Sequence, residues 1–148
     1  MTSKTPVRVL LVDDDPDMLQ LLEEIIQEGF RDEVQIKATS DPKQARRHLE
    51  AEIVDLLVTD LEMPEISGLE LLRCAKRKNA WTQVLLVTGH SNLDALTNAM
   101  DLGASDYLTK PIDQDELEEV VTSILRRLCR WRAALADTLT KRGTCGTH

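Results

Sequence analysis

No run of apolar residues in this 148-residue chain exceeds the length of a strand, so nothing in it is long enough to cross a bilayer, and no stretch at its start reads as a secretory signal. Positive charge is also short: 18 Lys and Arg against 26 Asp and Glu leave a net charge of −8, which argues against direct, non-specific nucleic-acid binding by this segment. Cysteine is sparse and odd in number. Cys74, Cys129 and Cys145 lack metal-ligand spacing, so they read as reduced thiols in a cytoplasmic protein rather than a disulfide framework. Internal repeats and low-complexity tracts are missing too, and the length suits one domain with a single core.

What is present is an alternation of strand-like and helix-like segments. Val7 to Val12 is almost continuously apolar and ends at Asp13-Asp14-Asp15-Pro16. Asp15 before Pro16 has the form of an N-cap followed by proline at the first helical position, and Met18, Leu21, Leu22, Ile25 and Ile26 then share one helical face, with Gly29 as the stop. Val34 to Ala38 alternates like an edge strand, and Asp41-Pro42 repeats the cap signature before Ala45, His48 and Leu49. His48 is read as structural. Ile53 to Thr59 is a third apolar, partly β-branched run, closed by Asp60 and then by Met63-Pro64. Ser67 with Glu70 forms a capping box for a helix carrying Leu69, Leu72 and Ala75. Gln83 to Val87 is a fourth strand, ending at Thr88-Gly89-His90. Ser91 with Asp94 caps a helix whose apolar stripe is Leu93, Leu96 and Met100, stopped by Gly103. Ser105 to Thr109 is a short fifth strand ending in Lys110-Pro111, and Asp113 begins the last helix.

Five strands alternating with five helices through short connections predict an α/β fold. Right-handed crossovers give a doubly wound parallel sheet covered on both faces, in the common order 2-1-3-4-5, flavodoxin-like. That order puts the first and third strands side by side, so their carboxyl ends bring Asp13, Asp14 and Asp60 into one crevice although they are distant in sequence. Asp15 is left to cap the helix. Three crowded carboxylates repel one another and call for a hard divalent cation such as Mg²⁺, which takes carboxylate oxygens and water. The fourth and fifth strands deliver Thr88 and Lys110 to the same edge. A hydroxyl and an ammonium beside a metal and a carboxylate suit a phosphoryl group, with Asp60 as a carboxylate nucleophile.

The set Asp13-Asp14, Asp60-Leu-Glu-Met-Pro, Thr88-Gly89 and Gly103-Ala-Ser-Asp-Tyr-Leu-Thr-Lys110-Pro111 resembles the receiver domain of two-component response regulators, over roughly Val7 to Ile124. The resemblance implies a phosphoprotein of signal transduction that accepts a phosphoryl group from a sensor histidine kinase on Asp60, promoting only its own phosphorylation and dephosphorylation. It implies Asp14 as a direct Mg²⁺ ligand, Asp13 acting through water, and the Glu62 backbone carbonyl completing the protein ligands. Thr88 becomes the switch hydroxyl, Tyr107 the switch aromatic, and Lys110 the partner of Asp60, with the Lys110-Pro111 bond cis. Glu62 and His90, two residues after the acceptor and the switch threonine, stand where side chains tune phosphoryl lifetime. Two rival readings are a Mg²⁺-dependent phosphatase with an aspartyl nucleophile, whose second acid would be Glu62, and a receiver-like interaction module that is never phosphorylated.

Leu117, Val121, Ile124, Leu128, Trp131 and Leu135 form a heptad seam over about 19 residues. The first turns suffice to cover a sheet, so Leu128, Trp131 and Leu135 are expected to project beyond it, toward a homodimer or an output domain. The expected layout is a receiver domain over 1–126, a helical extension over 127–140 and a disordered tail over 141–148.

Overall fold

The computed structural model describes residues 5–89 and 92–145, with side chains through residue 140. Five strands form one sheet in the order β2-β1-β3-β4-β5, and every pair is parallel. In chain order these are β1 (Val7–Val12), α1 (Pro16–Phe30), a 3-10 turn (Arg31–Glu33), β2 (Val34–Thr39), α2 (Pro42–Ala51), β3 (Leu56–Thr59), α3 (Gly68–Lys78), β4 (Gln83–Thr88), α4 (Leu93–Asp101), β5 (Asp106–Thr109) and α5 (Gln114–Cys145). The expected doubly wound architecture is the one found. No helix among the described residues is long and apolar enough to cross a membrane.

The period-2 geometry of the strands sorts the core into two layers. Val7, Val9, Leu11, Leu56, Val58, Leu85 and Val87 point to the side covered by α1 and α5, where Leu22, Ile26, Phe30, Leu117 and Val121 meet them. Leu10, Val12, Leu57, Val84 and Leu86 point to the other side, against Leu49, Leu71, Leu72 and Ala99 of α2, α3 and α4. Burial on both faces explains why β1, β3 and β4 lack polar alternation, whereas edge strand β2 shows it.

Local signals set most helix starts. The carboxylates of Asp15 and Asp41 accept the amides of Asp17 and Lys43, both at 3.0 Å, and Ser67 Oγ accepts Glu70 N at 3.3 Å. Asp113 likewise accepts Asp115 N at 2.9 Å.

Several boundaries depart from the sequence reading. Helix α1 does not stop at Gly29: it continues to Phe30, whose ring joins the core, and the chain reverses at Arg31 with φ 40°. Leu21, expected on the buried face, is 40% exposed. The third strand begins at Leu56 rather than Ile53, because Asp55 turns its carboxylate to Arg8 N at 2.9 Å and leaves Ile53 outside the sheet. Asn92, not Ser91, caps α4 through Oδ1 to Asp94 N and Ala95 N, at 2.8 and 3.3 Å. That helix is also turned from the expected stripe. Leu93 and Met100 are 80% and 75% exposed, and the small residues Ala95 and Ala99 pack inward.

Helix α5 carries the largest correction. Leu128 is 5% exposed and belongs to the core with Val7, Val34 and Phe30, so the helix covers the sheet for one turn more than expected. Trp131 is 51% exposed, and Leu135 is partly covered. Arg132 anchors this region: its guanidinium donates to Thr5 O and to Asp55 Oδ2, both at 2.9 Å. The helix then continues to Cys145, so residues 141–145 are helical where a disordered tail was expected, and 146–148 lie outside the described residues.

Candidate functional site

The register of the two central strands builds the site. Val12 of β1 pairs with Thr59 of β3, so the next residue on each strand, Asp13 and Asp60, leaves the sheet at the same level. Asp60 N adds one more rung by donating to Val12 O at 3.1 Å. One carboxylate oxygen from each of Asp13, Asp14 and Asp60 lies within 4.8 Å of the others. Asp13 and Asp60 are buried and Asp14 is exposed, so the cluster is a pit with one acid on its rim.

The fifth strand supplies the cation. Thr88 pairs with Thr109, and Lys110 N donates to Thr88 O at 2.9 Å, which fixes where the lysine starts. Its Nζ donates to Asp60 Oδ2 at 3.0 Å and lies 2.9 Å from Asp13 Oδ2. The second contact is an ion pair without the alignment of a hydrogen bond, leaving Asp13 Oδ2 buried with no aligned donor among the described residues. The other oxygens are taken by backbone: Asp13 Oδ1 accepts Asp15 N at 2.9 Å, and Asp60 Oδ1 accepts Glu62 N at 3.2 Å. The Lys110-Pro111 bond is cis, as expected.

Electrostatics follow from this packing. Burial pushes the Asp13 carboxyl above its ordinary range; the Asp15 amide and Lys110 oppose that shift without cancelling it, and the charge of Asp60 adds to it. For Lys110, burial alone would favour the neutral amine, but the two carboxylates together outweigh it and hold the ammonium above its usual value. An all-oxygen set of clustered carboxylates, with Asp13 Oδ2 buried and met among the described residues by the Lys110 ammonium alone, fits a hard divalent cation such as Mg²⁺.

Of the residues singled out from sequence, Asp13, Asp14, Asp60 and Lys110 come together. Thr88 is buried at the end of the neighbouring strand. Tyr107 is not drawn into the site: its strand pattern turns it outward, 46% exposed, rather than into the core. The Glu62 residue is exposed, and it is its backbone amide that meets Asp60. His90 lies outside the described residues. Asp15 serves as the helix cap. Gly68 was missed by sequence reasoning. A Cβ there would overlap the Asp60 carbonyl oxygen and sit 2.9 Å from Leu61 Cα. The available signal was a glycine in the first turn of a helix, where propensity disfavours it.

Comparison with known proteins places this arrangement. The family model described as response regulator receiver domain matches residues 9–122. The response regulator protein PilR of Pseudomonas aeruginosa is 36% identical over 119 residues, covering 80% of this chain and 26% of that protein. The DNA-binding transcriptional regulator NtrC of Proteus hauseri is 38% identical over 108 residues, covering 73% and 22%. The chain thus spans about a quarter of the length of these curated relatives. Among solved structures, the signal receiver domain of a putative Luxo repressor protein from Vibrio parahaemolyticus superposes with a TM-score of 0.75 at 28% identity, covering 91% of this chain and 98% of that one. The signal receiver domain of an HD domain-containing protein from Pseudomonas fluorescens Pf-5 gives 0.79 at 26% identity, covering 90% and 96%.

Proposed function

This chain belongs to the response regulator receiver domain family, and from that premise we propose that Asp60 accepts a phosphoryl group from the phosphohistidine of a sensor histidine kinase. An Asp60 carboxylate oxygen forms the new bond to phosphorus. The bond from phosphorus to the imidazole nitrogen of the donor breaks, and its electron pair stays on that nitrogen. The observation that carries this reading is the placement of Lys110 Nζ against both Asp60 Oδ2 and Asp13 Oδ2, at 3.0 and 2.9 Å. A fixed ammonium beside the nucleophile is where charge on the phosphoryl oxygens must be met, because phosphoryl transfer depends mostly on positioning and electrostatics. Asp13, Asp14, Asp60 and the Glu62 carbonyl would hold Mg²⁺, which when bound supplies further neutralisation of that charge.

The phosphorylated side chain would carry a charge of about −2 and draw on the Thr88 hydroxyl and Lys110. Movement of Thr88 toward it would open room for Tyr107, which stands outward in the unmodified protein, to turn inward. The face built from α4, β5 and α5 then shifts between two packings, and phosphorylation acts only through the difference in stability between them. The exposed Leu93, Met100 and Tyr107 on that face, and Trp131 beyond it on α5, are the surfaces through which a second copy or an output domain would read the change. On this reading the chain promotes only its own phosphorylation and dephosphorylation.

Incubation with acetyl phosphate and Mg²⁺ tests the assignment. Intact-mass measurement is expected to show one added phosphoryl group in the parent protein and none in Asp60→Asn. Undiminished incorporation in the variant would overturn it.

A further inference from the structure

The backbone of Asp60 is gripped from two sides by residues outside the acid cluster. Thr59 is fully buried, and its hydroxyl donates to the Asp60 carbonyl oxygen at 3.0 Å. On the other side, the first turn of α3 sits directly on the peptide linking residues 60 and 61. Gly68 N donates to Leu61 O at 2.9 Å, and a Cβ at Gly68 would overlap the Asp60 carbonyl oxygen and lie 3.0 Å from the Asp60 carbonyl carbon. The strand ladder ends at Thr59, so beyond the single rung from Asp60 N to Val12 O the acceptor peptide lies past regular pairing.

We propose that Thr59 and Gly68 are positioning residues that aim the Asp60 carboxylate, the hydroxyl of one and the bare Cα of the other fixing the plane of the 60–61 peptide. With that plane fixed, Asp60 Oδ1 meets the Glu62 amide and Oδ2 meets Lys110. A buried hydroxyl could be satisfied by any nearby acceptor; spending it on the acceptor's own carbonyl ties the aim of the side chain to the strand beneath it. Gly68 is the complement, because any larger residue would push the peptide out of that plane. The inference rests on the reading of Asp60 as phosphoacceptor, but the aiming itself is a property of the metal-free protein and can be measured without phosphoryl transfer.

The test compares Thr59→Val, which keeps the shape and removes the hydroxyl, with Thr59→Ser, which keeps the hydroxyl. Two readouts are taken. In metal-free protein, NMR hydrogen exchange at the Glu62 amide reports whether Asp60 Oδ1 still holds it. Thr59→Val is expected to speed that exchange several-fold, leaving the Asp17 amide under its distant Asp15 cap unchanged, and Thr59→Ser to restore it. With acetyl phosphate and Mg²⁺, Thr59→Val is expected to lower the saturating rate constant on the order of tenfold with half-saturation unchanged. That is short of the roughly hundredfold that a 1 Å misplacement of a reacting group can cost. Gly68→Ala is expected to lower it further. If Thr59→Val matches the parent in both readouts, or if Val and Ser are equally impaired, the positioning role is wrong. If the parent protein takes no phosphoryl group, the phosphoacceptor reading falls, and the Glu62 exchange alone decides the positioning claim.

Discussion

Replacing Lys110 with methionine isolates the electrostatics of the site. Methionine keeps most of the side-chain length and removes the one ammonium that touches both Asp13 and Asp60. Breaking a buried pair from one side costs about 3 to 5 kcal/mol, because the remaining charge is left uncompensated. Asp13 is 1% exposed at its side chain but Lys110 keeps 20% of its surface, so the lower end, about 3 kcal/mol, is the expected loss in metal-free protein near neutral pH. With an unfolding entropy of about 0.3 kcal/mol/K for a chain of this size, Tm falls by about 10 °C. The loss has a pH signature. Burial already raises the Asp13 pKa above 3.8, so between 3.8 and that raised value the folded state binds the proton more tightly than the unfolded state. Stability contributed there is lost as pH rises through the window. Removing Lys110 takes away an influence that lowers this pKa, so the window widens upward. The deficit of the variant should therefore be largest at neutral pH and shrink on acidification, as Asp13 takes up its proton. Calorimetric melts in EDTA at several pH values check this. A neutral-pH shift under about 3 °C, or a deficit independent of pH, would show that Lys110 does not compensate Asp13 as the geometry indicates.

Mg²⁺ at tenfold its dissociation constant should stabilise the protein by about 1.4 kcal/mol, or about 4 to 5 °C in Tm, and Asp14→Ala should abolish that response with little change in the metal-free melt; a full response in Asp14→Ala would remove the acid cluster as the site. Leu128→Ala should cost about 3 kcal/mol in chemical denaturation at low concentration, whereas Trp131→Ala should cost the isolated protomer less than about 1 kcal/mol; the opposite order would contradict the placement of Leu128 in the core. Arg132→Ala should cost about 1 kcal/mol, discounted because the side chain is 36% exposed, and should speed amide exchange along α5 beyond Cys129; exchange unchanged there would mean that the contacts to Asp55 and Thr5 do not hold the helix down.

Features that depend on a few neighbouring residues were readable in advance. The caps at Asp15, Asp41, Ser67 and Asp113 are local, since each side chain bonds an amide two or three residues on, and all four occur where the pattern put them. The meeting of Asp13 and Asp60 is not local, yet it was legible because short connections leave few strand orders, and the common one, which the family resemblance also implies, makes β1 and β3 neighbours. Rotation and reach were not legible. Leu93, Leu96 and Met100 make a convincing apolar stripe, but α4 buries Ala99, leaves Ala95 and Leu96 half-buried and exposes Leu93 and Met100, an outcome decided by how closely the helix approaches the sheet. Leu128 belongs to the core because α5 continues over the amino ends of the strands, a distance set by tertiary packing and not by the heptad spacing. The grip on Asp60 was hidden for a similar reason. Thr59 reads as one more β-branched strand residue, and Gly68 as a residue after a cap, until the first turn of α3 is set down on the peptide following Asp60.

Lys110 cannot serve every partner at once, and this limits how the site can work. Three carboxylates face one ammonium, so two negative charges remain without a counter-charge among the described side chains of the cluster. While Asp60 is a free carboxylate, the amine rests between it and Asp13. If a phosphoryl group is added to Asp60, its charge lies further from the strand end, and an amine that follows it outward must loosen its contact with Asp13. Asp13 would then be a fully buried charge whose Oδ2 already lacks an aligned donor, an arrangement that costs several kcal/mol. On the proposed function, a need for a divalent cation or a proton in the modified state would therefore come as much from Asp13, sealed at the end of β1, as from the phosphoryl group itself. Asp14 escapes this demand because it stands on the rim in water.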